Sequence, residues 1–292
     1  MSTVQKTPSF GPLKGLIGTW KGVKGWSVIA VPAPAITSEA AYKLIVQNYT
    51  ETLTFTAVKA PVDNKGAELT QNIGAVVYEQ CIHDFDSGEL IHVENGMFMY
   101  LDVIEGQASG EHNPPFSIAR SGTIPHGNSV LILGDADEEA KLPDIADITT
   151  HPRVDPKDLP ENFLDQYVSE QNRLTIHDIV TDKESMIFNV VNPNENLQRD
   201  NNGLEILKTT HIKLDSENQG DVSNIPFLVK HANATRFTCD FWLEKIKLPM
   251  SGQTFEQLQY SQTVDIEFHK KFNDEMGLIK WPHVTVNTLT KQ

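Results

Sequence analysis

The chain has 292 residues, 39% apolar and 22% charged, which is far from the composition of disordered chains and enough for a sizeable core. Thirty-nine acidic against 24 basic side chains leave a net charge of −15, which repels phosphate backbones and anionic headgroups, so neither nucleic acid nor a membrane surface is expected as a partner. The N-terminus MSTVQKTPSF has no basic segment followed by an apolar run, no stretch is apolar over a bilayer's thickness, and the distant Cys81 and Cys239 read as reduced thiols, which together point to a cytoplasmic protein.

In chain order, a short helix or turn is expected at 11–17, overlapping the segment GLIGTWKG at 15–22. There a large indole, Trp20, sits among glycines, as needed where a barrel bottom closes and backbones approach closely. Strands follow at 27–31, 50–58, 75–83, 89–94, 97–104 and 128–133, bounded by Gly, Pro, Asn and Asp. Residues 135–165 depart from this pattern, with ten acidic and three basic side chains and prolines at 143, 152, 156 and 160. Proline blocks ladder pairing and the acids repel one another, so this reads as a solvated excursion, within an acidic, proline-rich insertion at 135–172, or as a lid over a barrel mouth. A short helix or turn is expected near 161–171, a strand at 186–191, an Asn-rich turn at 192–203, and a strand at 204–214 before a polar stretch at 215–235. The clearest signal is the period of two in 236–244 and 255–268, where Leu258, Tyr260, Val264, Ile266 and Phe268 alternate with polar neighbours, and a last strand is expected at 283–289.

Many short antiparallel strands without long amphipathic helices predict an all-β protein, and closure is favoured because an open sheet leaves edges that aggregate. The expected architecture is an antiparallel up-and-down β-barrel with long loop insertions, a single domain over 1–292. No CxxC, HExxH, P-loop or GxGxxG is present. Cys81 and His83 fall on one strand face without a third local ligand, and His92 lies two residues from Glu94, so a carboxylate can orient that imidazole.

Four segments in order resemble the nitrobindin family, haem-binding barrels within the lipocalin and fatty-acid-binding-like group. GTWKG resembles its GTWxGxG opening, and TETLTF at 50–55 resembles its EELTF strand. VVYEQCIHDFDSGELIHVENGMF at 76–98 resembles its strand, Gly turn and H-x-E-x-G unit, and WPHVTVNTLTK at 281–291 its closing P-H-x-x-x-x-L segment. The likeness covers the two ends and 50–134, roughly half of the chain. It implies haem b as cofactor, His283 as the ligand of the metal, His92 on the opposite side of the pocket, and handling of nitric oxide or isomerisation of peroxynitrite. Around them, Trp281 would flank His283, Met97 would give a soft pocket wall, and Trp20 would close the barrel. His126 stands where the family usually has a small polar residue, and is either a third pocket histidine or a turn residue before Gly127.

Two other readings stand beside this one. A barrel of this kind can carry or sense an apolar small ligand such as a fatty acid or pigment without haem, and His92 with Glu94 could serve acid–base catalysis. Whether the chain is an enzyme stays open, and the sequence is compatible with a homodimer.

Overall fold

The computed structural model describes residues 8–34, 42–60, 62–66, 69–105, 115–248, 251–272 and 275–292. The fold is all-β, as the alternating pattern requires. The main strands are β1 (Gly18–Pro32), β2 (Tyr42–Ala57), β3 (Val62–Gly66), β4 (Leu69–Asp84), β5 (Leu90–Glu105), β6 (Ile118–Ile124) and β7 (Asn128–Glu139). A hairpin of β8 (Thr175–Asp178) and β9 (Lys183–Met186) is followed by β10 (Glu205–Asp215), β11 (Asp221–Asn224), β12 (Asn233–Lys247), β13 (Thr254–Lys270) and β14 (Leu278–Lys291). Three short helices, α1 (Asp165–Arg173), α2 (Asn194–Asp200) and α3 (Pro226–His231), lie between strands. Among the described residues no helix is long and apolar enough to cross a membrane.

Ten strands close into an antiparallel barrel in the order β10-β12-β13-β14-β1-β2-β4-β5-β6-β7, with β7 pairing back to β10. Strand β3 extends the sheet beside β4, and β11 pairs with β7. The closing ladder runs through the acidic stretch, with Asp135 opposite Lys213 and Glu139 opposite Thr209. Lys208 Nζ lies 2.7 Å from Glu138 Oε1, so a basic partner strand offsets the carboxylate repulsion, and the irregular part of the insertion begins only after Glu139.

One end of the lumen is packed solid. Trp20 is fully buried there with Leu13, Leu16 and Leu289, its indole Nε1 donates to the Leu16 carbonyl at 2.7 Å, and Lys291 Nζ lies 5.1 Å from the ring. The expected plug is therefore in place.

The insertion between β7 and β10 packs outside the barrel. Phe163, Tyr167, Phe188 and Leu197 are buried against Val28, Leu44, Trp242 and Val286, forming a second core on the outer wall. Trp26 stacks on Phe188 with centroids 4.4 Å apart. The strands beneath are covered on both faces, which explains apolar runs such as WSVIAV, where strict alternation is lost. No residue of 135–172 lines the lumen cavity, so the lid reading is corrected: beyond Glu139 this segment is a jacket on the wall. The expected strand at 186–191 is also corrected, because only Met186 closes β9 and the following residues turn inward to bury Phe188 and Val190. The expected helix near 161–171 is α1, and the Asn-rich turn contains α2.

Buried polar groups tie this jacket down. Asn201, which caps α2, donates to Glu244 Oε1 and Gln259 Oε1, both at 2.9 Å, and Gln257 donates to Glu244 Oε2 at 2.6 Å. Burial, outweighing hydrogen bonds from Gln257 and Asn201, pushes the Glu244 carboxyl up to about 7. A carboxyl raised in the folded state contributes stability that is complete below its ordinary value and lost as pH rises through about 7. Urea midpoints of Glu244→Gln relative to the parent protein should therefore move in the variant's favour, by roughly 2–3 kcal/mol, between pH 5 and pH 8. A pH-independent difference would show that the carboxyl is not protonated on folding.

Candidate functional site

Beyond the plug, the lumen opens into a cavity of about 450 Å³, within the size range of small-molecule sites. Its wall is mostly apolar, with Ile29 and Val31 of β1, Ile82 of β4, Ile124 of β6, and Val264 and Ile266 of β13. Val222 of β11 and Leu228 of α3 complete it on one side. The outer side of α3 presents Phe227 and Val229 to solvent, so this helix is apolar on both sides.

Three histidines face the same cavity, namely His92 from β5, His126 from the β6–β7 turn and His283 from β14. The His92 and His126 rings are 5.8 Å apart, and His92 Nε2 lies 3.6 Å from Glu94 Oε2. His283 Nε2 is 3.0 Å from the Ser27 hydroxyl. Burial first, then the nearby His92 and His126, pushes the His283 imidazole down to about 4, so it is neutral at physiological pH. Burial and His92 also lower His126.

The other expected site residues fall elsewhere. Met97 is 43% exposed: its neighbour Phe98 points into the core, and alternation turns Met97 to the outside. Trp20 belongs to the packed end. Trp281 is buried but does not line the cavity; it stacks on Phe268 at 4.9 Å and lies 4.6 Å from Tyr42. Pro282 beside it has no N–H to donate, and the β1–β14 ladder ends at Val28 and Val284, so β14 parts from β1 before Trp281 while staying paired with β13. Among the described residues no three His, Cys, Asp or Glu side chains are placed to hold a metal ion, and Cys81 and Cys239 are free thiols.

The inner end of the cavity is a polar layer that the sequence pattern did not reveal. Arg120 of β6 is buried, with Nη2 2.7 Å from Glu94 Oε1, Nη1 2.5 Å from Gln262 Oε1, and Nε 3.2 Å from the Tyr78 hydroxyl. The Tyr78 hydroxyl also donates to Glu94. Phe98 and Phe237 stack around the guanidinium, with centroids 5.4 and 5.2 Å from Cζ. Burial opposes ionisation of Glu94, but the Arg120 charge, the neighbouring His92 and the hydrogen bond from Tyr78 prevail and hold it at about 2. Gly122 makes this possible: a Cβ there would lie 2.3 Å from the Tyr78 hydroxyl and 2.9 Å from Glu94 Oε1.

A second group joins strands across the lumen. Glu51 of β2 accepts from Gln80 of β4, Tyr260 of β13 and Asn287 of β14, each at 2.7 Å, and burial raises its carboxyl. Tyr49 reaches Tyr260 at 2.7 Å because its ring lies over Gly25, where a Cβ would come within 2.1 Å. Breaks in the alternation were the available signal: Gln262 interrupts the apolar even positions of β13, and Glu51 precedes Leu53 and Phe55 on the same face.

No family model and no curated protein matches the chain. It is similar to the crystal structure of Rv2717c from M. tuberculosis, at 13% identity over 96% of this chain and 97% of that one, with a TM-score of 0.42. At that level no property of that protein transfers to this one.

Two outcomes follow from the site's electrostatics. Replacing Glu94 alone, as in Glu94→Leu, leaves a buried guanidinium without its counter-charge and should cost about 3–5 kcal/mol in chemical denaturation, much of it regained in Glu94→Leu/Arg120→Leu. Because the folded-state value of His283 is depressed, the unfolded chain binds more protons, and stability falls as pH drops from about 6.5 to about 4. His283→Gln should remove up to roughly 3 kcal/mol of that acid sensitivity, read as the pH dependence of the urea midpoint.

Proposed function

We propose that the protein binds a small organic ligand with a largely apolar body inside the barrel, and that haem b held through His283 is the first ligand to test. The observation that carries this reading is the cavity itself: an apolar lumen pocket into which three histidines from distant parts of the chain converge. His283 fits the part of an axial ligand. Its imidazole is neutral, and Ser27 holds it by one nitrogen, an arrangement typical of metal-ligating histidines. His92, kept beside Glu94, would stand near His126 elsewhere on the wall and could donate or accept a hydrogen bond there. Bound haem would supply an iron centre for nitric oxide or peroxynitrite chemistry, and the apolar wall would limit access of water.

A specific observation favours an iron-free ligand as the second reading. Among the described residues the cavity lining contains no lysine or arginine to pair with haem carboxylates, and the Arg120 guanidinium is already engaged by Glu94, Gln262 and Tyr78. A fatty or pigment-like molecule needs no such partner.

Absorption titration of the purified chain with ferric haem, run beside His283→Ala, separates the two. Under the haem reading a saturable one-to-one Soret shift appears and weakens at least about a hundredfold in the variant. Under the iron-free reading no His283-dependent shift appears, while an apolar fluorophore is taken up equally by both proteins.

A further inference from the structure

The polar inner end of the cavity limits what part of a ligand can sit there. Gln262 and Gln80 both line the cavity, yet they are only 7% and 3% exposed. Each is anchored at one end of its amide. Arginine can only donate, so Arg120 fixes Gln262 with its oxygen inward at 2.5 Å, and the Nε2 amino group has no protein partner among the described residues. Gln80 donates Nε2 to Glu51 at 2.7 Å, which leaves its carbonyl oxygen without a protein partner among the described residues. Neither free end is sealed in the protein interior; each meets the cavity. The inner end therefore offers one donor and one acceptor that folding has left unused.

Charge narrows the choice. The Glu94 carboxylate lines the same end and Glu51 lies behind Gln80, so an anionic head would sit beside carboxylates. Arg120 offers no compensation, since it is bonded to Glu94, Gln262, Tyr78 and Cys239 and does not line the cavity, and His92 stands against Glu94 itself. A cationic head would face that same guanidinium behind Glu94. Outward along β13 and β1 the lining becomes apolar, with His283 and His92 beside it on β14 and β5: Gln262 is followed on β13 by Val264 and Ile266, and Ser27 on β1 by Ile29 and Val31. Ile266 pairs with Ala234, just after α3, so α3 marks the outer end.

We propose that the inner end is a seat for an uncharged head group that both donates and accepts a hydrogen bond, a primary alcohol or a carboxamide, on an apolar chain running out toward α3. This rests on the reading that the cavity takes an organic ligand, and it does not depend on iron.

The test is calorimetric titration of the full chain at neutral pH with decan-1-ol, decanamide and decanoate, each below its aggregation limit, beside an apolar fluorophore as a report of cavity access. The alcohol and the amide should bind about tenfold or more tighter than the carboxylate, the size expected of a good hydrogen bond plus avoided charge repulsion. Gln80→Met, which keeps the volume and removes the free carbonyl, should cut that preference by at least about threefold, the repulsion of the carboxylate by Glu94 remaining. Decanoate binding as tightly as the alcohol, or a preference undiminished in Gln80→Met, overturns the seat. Fluorophore uptake without binding of any of the three also overturns the seat alone, whereas exclusion of all four molecules overturns the cavity reading with it.

Discussion

Arg120 carries a full positive charge inside a β-barrel, and its neutralisation by Glu94 at 2.7 Å decides what the rest of the lumen can hold. A buried charge is tolerable only when paired and hydrogen-bonded, and here Glu94, Tyr78 and Gln262 close around it while aromatic rings cover its faces. Arg120 lies on β6 and these three polar partners on β4, β5 and β13, so the pairing also holds strands across the lumen. Together with the Glu51–Tyr260–Asn287 group it forms a layer that separates the packed end around Trp20 from the open cavity.

The outer jacket solves a different problem. A barrel wall with apolar residues on both faces would expose them, and the segment between β7 and β10 covers that surface with Phe163, Tyr167 and Phe188. The seam is polar, with Glu244, Gln257 and Gln259 meeting Asn201, so the jacket is set in one position by directional bonds as well as by burial. The cavity wall is completed instead by β11 and α3, so the short polar stretch at 215–235, and not the conspicuous acidic one, borders the cavity.

Much of the barrel was legible because alternation in a half-buried strand is local. Leu258, Tyr260 and Val264 announce their face without knowledge of any partner. Trp20 was legible as a plug for the same reason, through glycines and an indole close in sequence. The resemblance drew His283 and His92 from ten histidines, and the fold brings both to one cavity with His126. Met97 and Trp281 were misplaced, because one residue of register or one missing N–H at Pro282 turns a side chain out of the lumen. Strands β3, β6, β8, β9 and β11 are short or uneven in pattern and gave no clear local signal.

By itself the sequence determined the class: an all-β chain, acidic, with strand periodicity and a closed end around Trp20, because these depend on neighbours one or two residues apart. Only the tertiary structure decided that Glu94 meets Arg120, that Gln80 and Gln262 keep one amide end each for the cavity, and that the acidic insertion covers the wall. Those outcomes depend on pairing across strands up to 142 residues apart, as between Arg120 and Gln262, and no local pattern encodes which buried polar groups will find each other.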